Sequence, residues 1–343
     1  MREACVVACA SILTPSLAMR LGIPALFLLA MTASLLGGCA AREESAAKLR
    51  VLIVDGQNNH TVWPKSTMMM KAYFEQSGRF EVDIARTQFT WQGAKWAPHY
   101  PLQDGRTYED LPEPKEDPDY APDFANYDVV VSNFGWRAAD WPAGTRDALE
   151  KFVAGGGGFV TVHAANNSFP NWPAYNRMIG LGGWGGRTEK DGPYVYYDNE
   201  GKLVRDDTPG RGGAHGPEHQ FMIEIRQPDH PITRGMPTRW LHTQDECYDR
   251  LRGPAEEMTI LATAYSSPEY KGTDRHEPAL MTIDFEKGRI FHTILGHEDY
   301  SFEGVGFIVT LLRGTEWAAT GEVTIPIPED FPTETEAKRR PFP

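Results

Sequence analysis

Cysteine is nearly missing from this chain. Of four in 343 residues, Cys5, Cys9 and Cys39 fall in the first 40 positions and Cys247 stands alone beyond them. An intradomain disulfide and a cysteine-based metal cluster are thereby excluded for the rest of the chain. Basic runs are missing too. The net charge is −13, and no stretch of Lys and Arg could follow a phosphate backbone, so nucleic acid is not an expected partner. There is no internal repeat, no HExxH spacing, and no isolated carboxylate pair that would serve as an ordinary glycosidase dyad. The apolar run from Leu21 to Leu36 is too short, and too close to a cleavage-like site, for a spanning helix.

What is present is a normal apolar content of 41%, enough for a full-sized core, and nine Trp, some of which suit the stacking face of a sugar site. The first 39 residues read as a processing signal. Met19-Arg20, the apolar run and Leu36-Gly37-Gly38-Cys39 resemble a bacterial lipoprotein signal with Cys39 as the lipidated residue. Residues 1–18 then form an upstream extension, and residues 40–48 a polar tether. The expectation is an exported protein, periplasmic or at the cell surface, that touches the membrane through its lipid anchor only.

From residue 49 the pattern is strand, helix, strand. Val51-Leu52-Ile53-Val54 reads as a buried parallel strand, and Pro64 to Ser77 as a helix closed by Gly78. Phe80 to Ile84, Tyr127 to Asn133 and Phe159 to His163 read as further strands, with a helix from Pro142 to Ala154. This order implies crossover connections and a mostly parallel sheet covered by helices on both faces. The later half turns to β-hairpins. Ala279–Phe285 and Arg289–Leu295 flank a Lys287-Gly288 turn, and a helix from Gly304 to Arg313 closes one α/β domain spanning 49–321. Residues 322–343, rich in Pro and charge, read as a tail. Two aperiodic stretches, the acidic 101–124 and the Gly-rich 180–216, are expected as surface loops on the rim of a site.

Ligands in open parallel sheets sit at the carboxyl ends of strands, which singles out Asp55, Asn133, His163 and His297. Polar clusters at 215–219, 242–246 and 296–299 add His215, Asp245 and Glu246. Three motifs carry a family resemblance: Gly155 to Ala165 with its Gly-rich turn, strand and His-Ala; Asp229-His230-Pro231 to Pro237 followed by Asp245-Glu246-x-Tyr248; and Gly288 to His297. Their order resembles the ThuA-like, trehalose-utilisation family of the class I glutamine amidotransferase-like superfamily. The resemblance implies a flavodoxin-like three-layer sandwich with an added β-hairpin region. It places His163 where an amidotransferase carries its nucleophilic Cys and His297 where the partner His stands. An imidazole lacks a thiolate's acyl chemistry, so glutaminase activity is not expected.

His163, His297, Asp245 and Glu246 are the catalytic candidates, and His60, Asn133, His215, Trp172 and Trp184 the substrate-binding ones. Imidazoles beside carboxylates suit proton transfer near neutral pH. They also suit a divalent metal such as Zn or Mn, for which His163, His215 and His297 are candidates. The family's association with disaccharide catabolism and 3-keto-glycosides implies a small carbohydrate substrate. The alternative is a lipoprotein that captures glycans on its Trp residues without turnover.

Overall fold

Val51, Leu52, Ile53 and Val54 are all buried, although successive side chains leave a strand on opposite faces. Both faces of β1 (Leu49–Gln57) are therefore covered, as a parallel sheet between helices requires. The computed structural model describes residues 47–343; the expected signal with Cys39, and residues 40–46 of the expected tether, lie outside the described residues. β1 pairs in parallel with β2 (Phe80–Trp91) on one side and β4 (Val129–Ser132) on the other. β3 (Glu109–Leu111) adds to β2, and β5 (Gly158–Val162) adds to β4, both in parallel.

Beyond β5 the sheet changes character. Two short hairpin strands, β6 (Tyr194–Tyr197) and β7 (Leu203–Asp206), hang from its side. A separate two-stranded ladder joins β8 (Ala214–His215) to β11 (Tyr248–Asp249). The remaining strands are β9 (Met222–Ile225), β10 (Arg239–Leu241), β12 (Met258–Ser266), β13 (Arg275–Phe285) and β14 (Gly288–Thr293). They extend the sheet in the order β10-β9-β12-β13-β14-β5-β4-β1-β2-β3, antiparallel as far as β14 and parallel from there on. The fold is thus α/β with a mostly parallel central half and an added hairpin half.

Neighbouring residues of β14 show the three layers. Phe291 lies against Gly314 of α5 (Val305–Thr320), where a Cβ would come within 2.1 Å of the ring. His292, facing the other way, donates through Nδ1 to the Ile179 carbonyl at the end of α3 (Pro173–Ile179), 2.8 Å. α1 (Trp63–Gln76) packs beside α5, and α2 (Ala143–Ala154) against β14. Among the described residues no helix is long and apolar enough to cross a membrane.

Three expectations need correction. The hairpin turn is Glu286-Lys287; Gly288 already belongs to β14, where it pairs with Phe285, and a Cβ there would meet the Val153 carbonyl at 2.2 Å. The acidic stretch 101–124 is not only a surface loop: it supplies β3 and buries Tyr120 and Phe124 in the core. Residues 322–343 are not a free tail either. Phe331 is buried against Trp240, with ring centroids 5.4 Å apart. Thr324 and Ile325 donate to the buried Glu316 carboxylate, and the Phe342 amide donates to Glu303, 3.0 Å. Proline and charge between the apolar residues conceal this docking from any periodic reading.

Deleting residues 322–343 should therefore lower the unfolding free energy on the order of 3–5 kcal/mol, from lost aromatic burial and from the loss of the Thr324 and Ile325 donors at a buried Glu316 carboxylate that is left with Arg79. Urea unfolding measures it. A loss under about 1 kcal/mol would mean that the docked segment is energetically idle.

Candidate functional site

The chain leaves β5 at Val162 and turns at once into a 3-10 turn, His163–Asn167. His163 adopts φ +47°, a left-handed conformation that a branched-ring residue holds only when its surroundings impose it. Its Nδ1 lies 2.5 Å from the Ile294 carbonyl, so that nitrogen carries the proton, and its ring packs 4.2 Å from that of Tyr248. β1, two strands away in the sheet, brings in His60. Asn58, after β1, accepts from the His60 amide and donates to the Asn133 and Phe134 carbonyls, fastening the turn after β1 to the turn after β4.

His297 follows β14 through Gly296, at φ +111°. The buried Asp245 carboxylate fixes this turn. Its Oδ2 accepts from Gly296 N and His242 Nε2, both at 2.8 Å, and its Oδ1 accepts from the amides of Glu246 (2.8 Å) and His297 (3.1 Å). The isolated bridge His219–Asp245 and the His215–Tyr248 pairing hold Glu246 between them.

These elements converge on one carboxylate. Glu246 Oε1 lies 3.3 Å from His215 Nε2 and 3.4 Å from His297 Nε2, and Oε2 lies 3.5 Å from His163 Nε2. The His60 ring centroid is 5.0 Å from that of His163 and 4.5 Å from that of His297, and the last two are 5.5 Å apart. Burial opposes ionisation of Glu246, but His163 and the charges of His297 and His215 outweigh it and hold the carboxyl below its usual range. Burial likewise opposes a charged His163, yet Glu246 and Asp245 raise its pKa. Burial first, then His163, lowers the pKa of both His60 and His297.

A cavity of about 240 Å³ opens above the cluster, with His60, His215 and Glu246 at its base and Trp136, Trp184, Tyr248, Asn59 and Asn167 around it. No Lys or Arg lines it.

The structure brings together His163, His297, His60, His215 and Glu246, with Trp184 on the wall. Asp245 is beside them, but all its hydrogen bonds go to His242 and three backbone amides, so it positions Glu246 and His297 and does not face a substrate. Asn133 is buried below the cluster, its amide donating to Trp63 O, Ser66 and Thr67. Trp172 is no sugar platform. It is buried among Trp141, Phe169 and Tyr175, and its indole N–H donates to Glu150. Asp55 is held in a buried ion pair with Arg86. Of the two aperiodic stretches, only 180–216 reaches this cavity. Cys247 is buried, and burial pushes its thiol far above the usual range, so no thiolate is at hand.

Sequence reasoning passed over Glu218, whose Oε1 lies 3.1 Å from His297 Nδ1, although the cluster 215–219 held the signal. Trp136 and Tyr248 were passed over as site residues as well; Tyr248 stood in a quoted motif, whereas Trp136 has no local pattern.

The sequence profile of the ThuA family, described as trehalose utilisation, matches residues 112–318, more than half of the chain. The crystal structure of a ThuA-like protein from Parabacteroides merdae is 40% identical, with a TM-score of 0.75, over 86% of this chain and 98% of that one. The chain belongs to the ThuA family. A second ThuA-like structure, from Bacteroides uniformis, is 16% identical with a TM-score of 0.49, over 84% of this chain and 97% of that one. None of the curated proteins matches the sequence. In ThuA-family terms, the first two family motifs end near His163 and Tyr248 and the third ends on His297, and the His163 ring lies 4.2 Å from that of Tyr248 and 5.5 Å from that of His297.

Proposed function

We propose that this ThuA-family protein is a carbohydrate-processing enzyme that acts on glycosides or 3-keto-glycosides by imidazole–carboxylate proton transfer, and that it is not a glutaminase. The observation that carries the proposal is the convergence of three imidazole Nε2 atoms on Glu246 at the foot of an aromatic-walled cavity. Flat aromatic walls suit the C–H faces of a sugar ring. The absence of Lys and Arg from the wall favours a neutral sugar over a uronate or sugar phosphate.

A 3-keto group acidifies the C2 proton. Glu246 faces the cavity and His163 stands behind its Oε2, so a proton taken at the carboxylate is shared with the imidazole. The C2–H electron pair moves toward the C3 oxygen, and its return expels the C1 substituent, whose oxygen recovers the proton. Such a route needs no second carboxylate, in keeping with the single one at the cavity base.

The test is product analysis on a 3-keto-disaccharide with the wild type and His163→Gln. Turnover should be seen with the wild type and fall at least about 100-fold in the variant while ligand binding is kept. Saturable glycan binding that is equal in both proteins, without turnover in either, would replace this reading by a glycan-capturing one.

A further inference from the structure

Electron-pair counting around Glu246 leaves a gap. The Nδ1 atoms of His163 and His215 each face a backbone carbonyl, Ile294 O at 2.5 Å and Gly216 O at 2.8 Å. Carbonyls only accept, so both Nδ1 atoms carry the proton. His297 Nδ1 lies 3.1 Å from the Glu218 carboxylate without a hydrogen bond to it. In their neutral forms, the Nε2 atoms of His163 and His215 therefore present bare lone pairs to a carboxylate that itself offers only lone pairs. The buried His163 Nε2 and Glu246 Oε2 have no hydrogen-bond partner. One proton on His163 would satisfy a single contact and leave the Oε1 side, toward His215 and His297, without a positive centre. Acceptors facing one another at 3.3–3.5 Å around a buried carboxylate call for a cation between them.

We infer that His60, Glu246 and His297 hold a first-row divalent metal ion of the zinc type. Ligand atoms of these three residues lie within 4.8 Å of one another, the spacing that surrounds a single ion. Two imidazoles and one carboxylate select a borderline cation over Mg or Ca, which prefer all-oxygen sets. Three protein ligands leave a coordination position open, and His60 and Glu246 both line the cavity, so that position faces it. Glu218 behind His297, and Asp245 behind both Glu246 and His297, orient the ligands as outer partners do in such centres. Glu246 then divides its oxygens: Oε1 toward the ion, Oε2 toward His163. His60, expected as a substrate-binding residue, becomes a ligand in place of His163 and His215. This inference rests on the proposed site. It supplies the group that polarises a substrate carbonyl there.

The test is direct uptake of Zn²⁺ by the chelator-treated full chain, followed by calorimetry and elemental analysis, with Mg²⁺ in a parallel arm. We expect one equivalent of zinc per chain and no comparable binding of Mg²⁺. His60→Ala and His297→Ala should each weaken uptake at least about 100-fold, more than loss of an outer partner does, and His276→Ala, on β13, should bind as the wild type. No stoichiometric uptake by the folded wild type, or unchanged uptake in both ligand variants, overturns the inference. Should those variants fail to fold, anomalous scattering from zinc-soaked wild-type crystals decides: a peak among the three side chains supports the site, and a peak elsewhere or none refutes it. Absence of zinc with full turnover would remove the metal and leave the proton-transfer reading standing; zinc uptake without turnover of any keto-glycoside would do the reverse.

Discussion

Glu246→Gln should reduce kcat on a 3-keto-glycoside by about 100- to 10,000-fold, the range that a positioned proton-transfer group contributes. KM should change little, because the amide keeps the carboxylate's shape and the aromatic walls are untouched. The backbone of Glu246 is held by Asp245 Oδ1 at 2.8 Å whatever the side chain carries, so the variant should fold. Removing a buried charge can even stabilise the protein slightly. A loss through kcat alone separates chemistry from binding. Glu246→Asp should not rescue activity, since retracting the carboxylate by one methylene opens the 3.3–3.5 Å contacts with His163, His215 and His297 together. Retention of more than about a third of wild-type kcat by Glu246→Gln would remove Glu246 from the chemistry.

The sequence is informative about this site in proportion to how local the cause is. Val51–Val54 and the strand before His163 are short continuous runs rich in β-branched residues, and a buried parallel strand needs nothing more. Strand ends then point to His163 and His297 by a general rule of α/β sheets. Asp245 and Glu246 are different, because two adjacent residues of similar chemistry have opposite fates. Their assignment depends on a bridge to His219 and a ladder to His215, contacts made across intervening loops. Trp172 and Trp184 are equally plausible sugar platforms by composition, yet one is core and the other is wall; only the packing of α3 tells them apart. His60 follows no motif and enters the cluster through the Asn58 side chain, which fastens two turns separated by some 75 residues. The docking of 322–343 is illegible for a further reason: its contacts are single apolar residues isolated by proline.

Two buried groups away from the site should give the fold opposing pH dependences of similar size. His292 on β14 is fully buried and held neutral, with Nδ1 donating to Ile179 O and Nε2 accepting from Asn166, 2.9 Å; burial lowers its pKa from 6.5 to about 4. As pH falls from 6.5 toward 4, the unfolded chain takes up a proton that the folded one refuses. Stability is therefore lost on acidification, by about 3 kcal/mol below the folded pKa. Glu277 on β13 runs the other way. Burial, with Asp249 adding to it against the hydrogen bond from Thr273, raises its pKa from 4.5 to about 7. As pH rises from 4.5 to 7, the unfolded chain releases a proton that the folded one keeps, and stability falls by a similar amount. In the wild type the two slopes largely cancel between pH 4.5 and 6.5. Glu277→Gln mimics the protonated acid, so it should match the wild type near pH 4 and exceed it by about 3 kcal/mol above pH 7. Its stability should then rise steeply with pH across the window, which exposes the His292 arm alone. Urea unfolding at intervals from pH 4 to 8 measures both curves. Parallel curves for Glu277→Gln and the wild type would show that Glu277 is ionised in the folded protein throughout, and the buried-acid account of β13 would fall with that result.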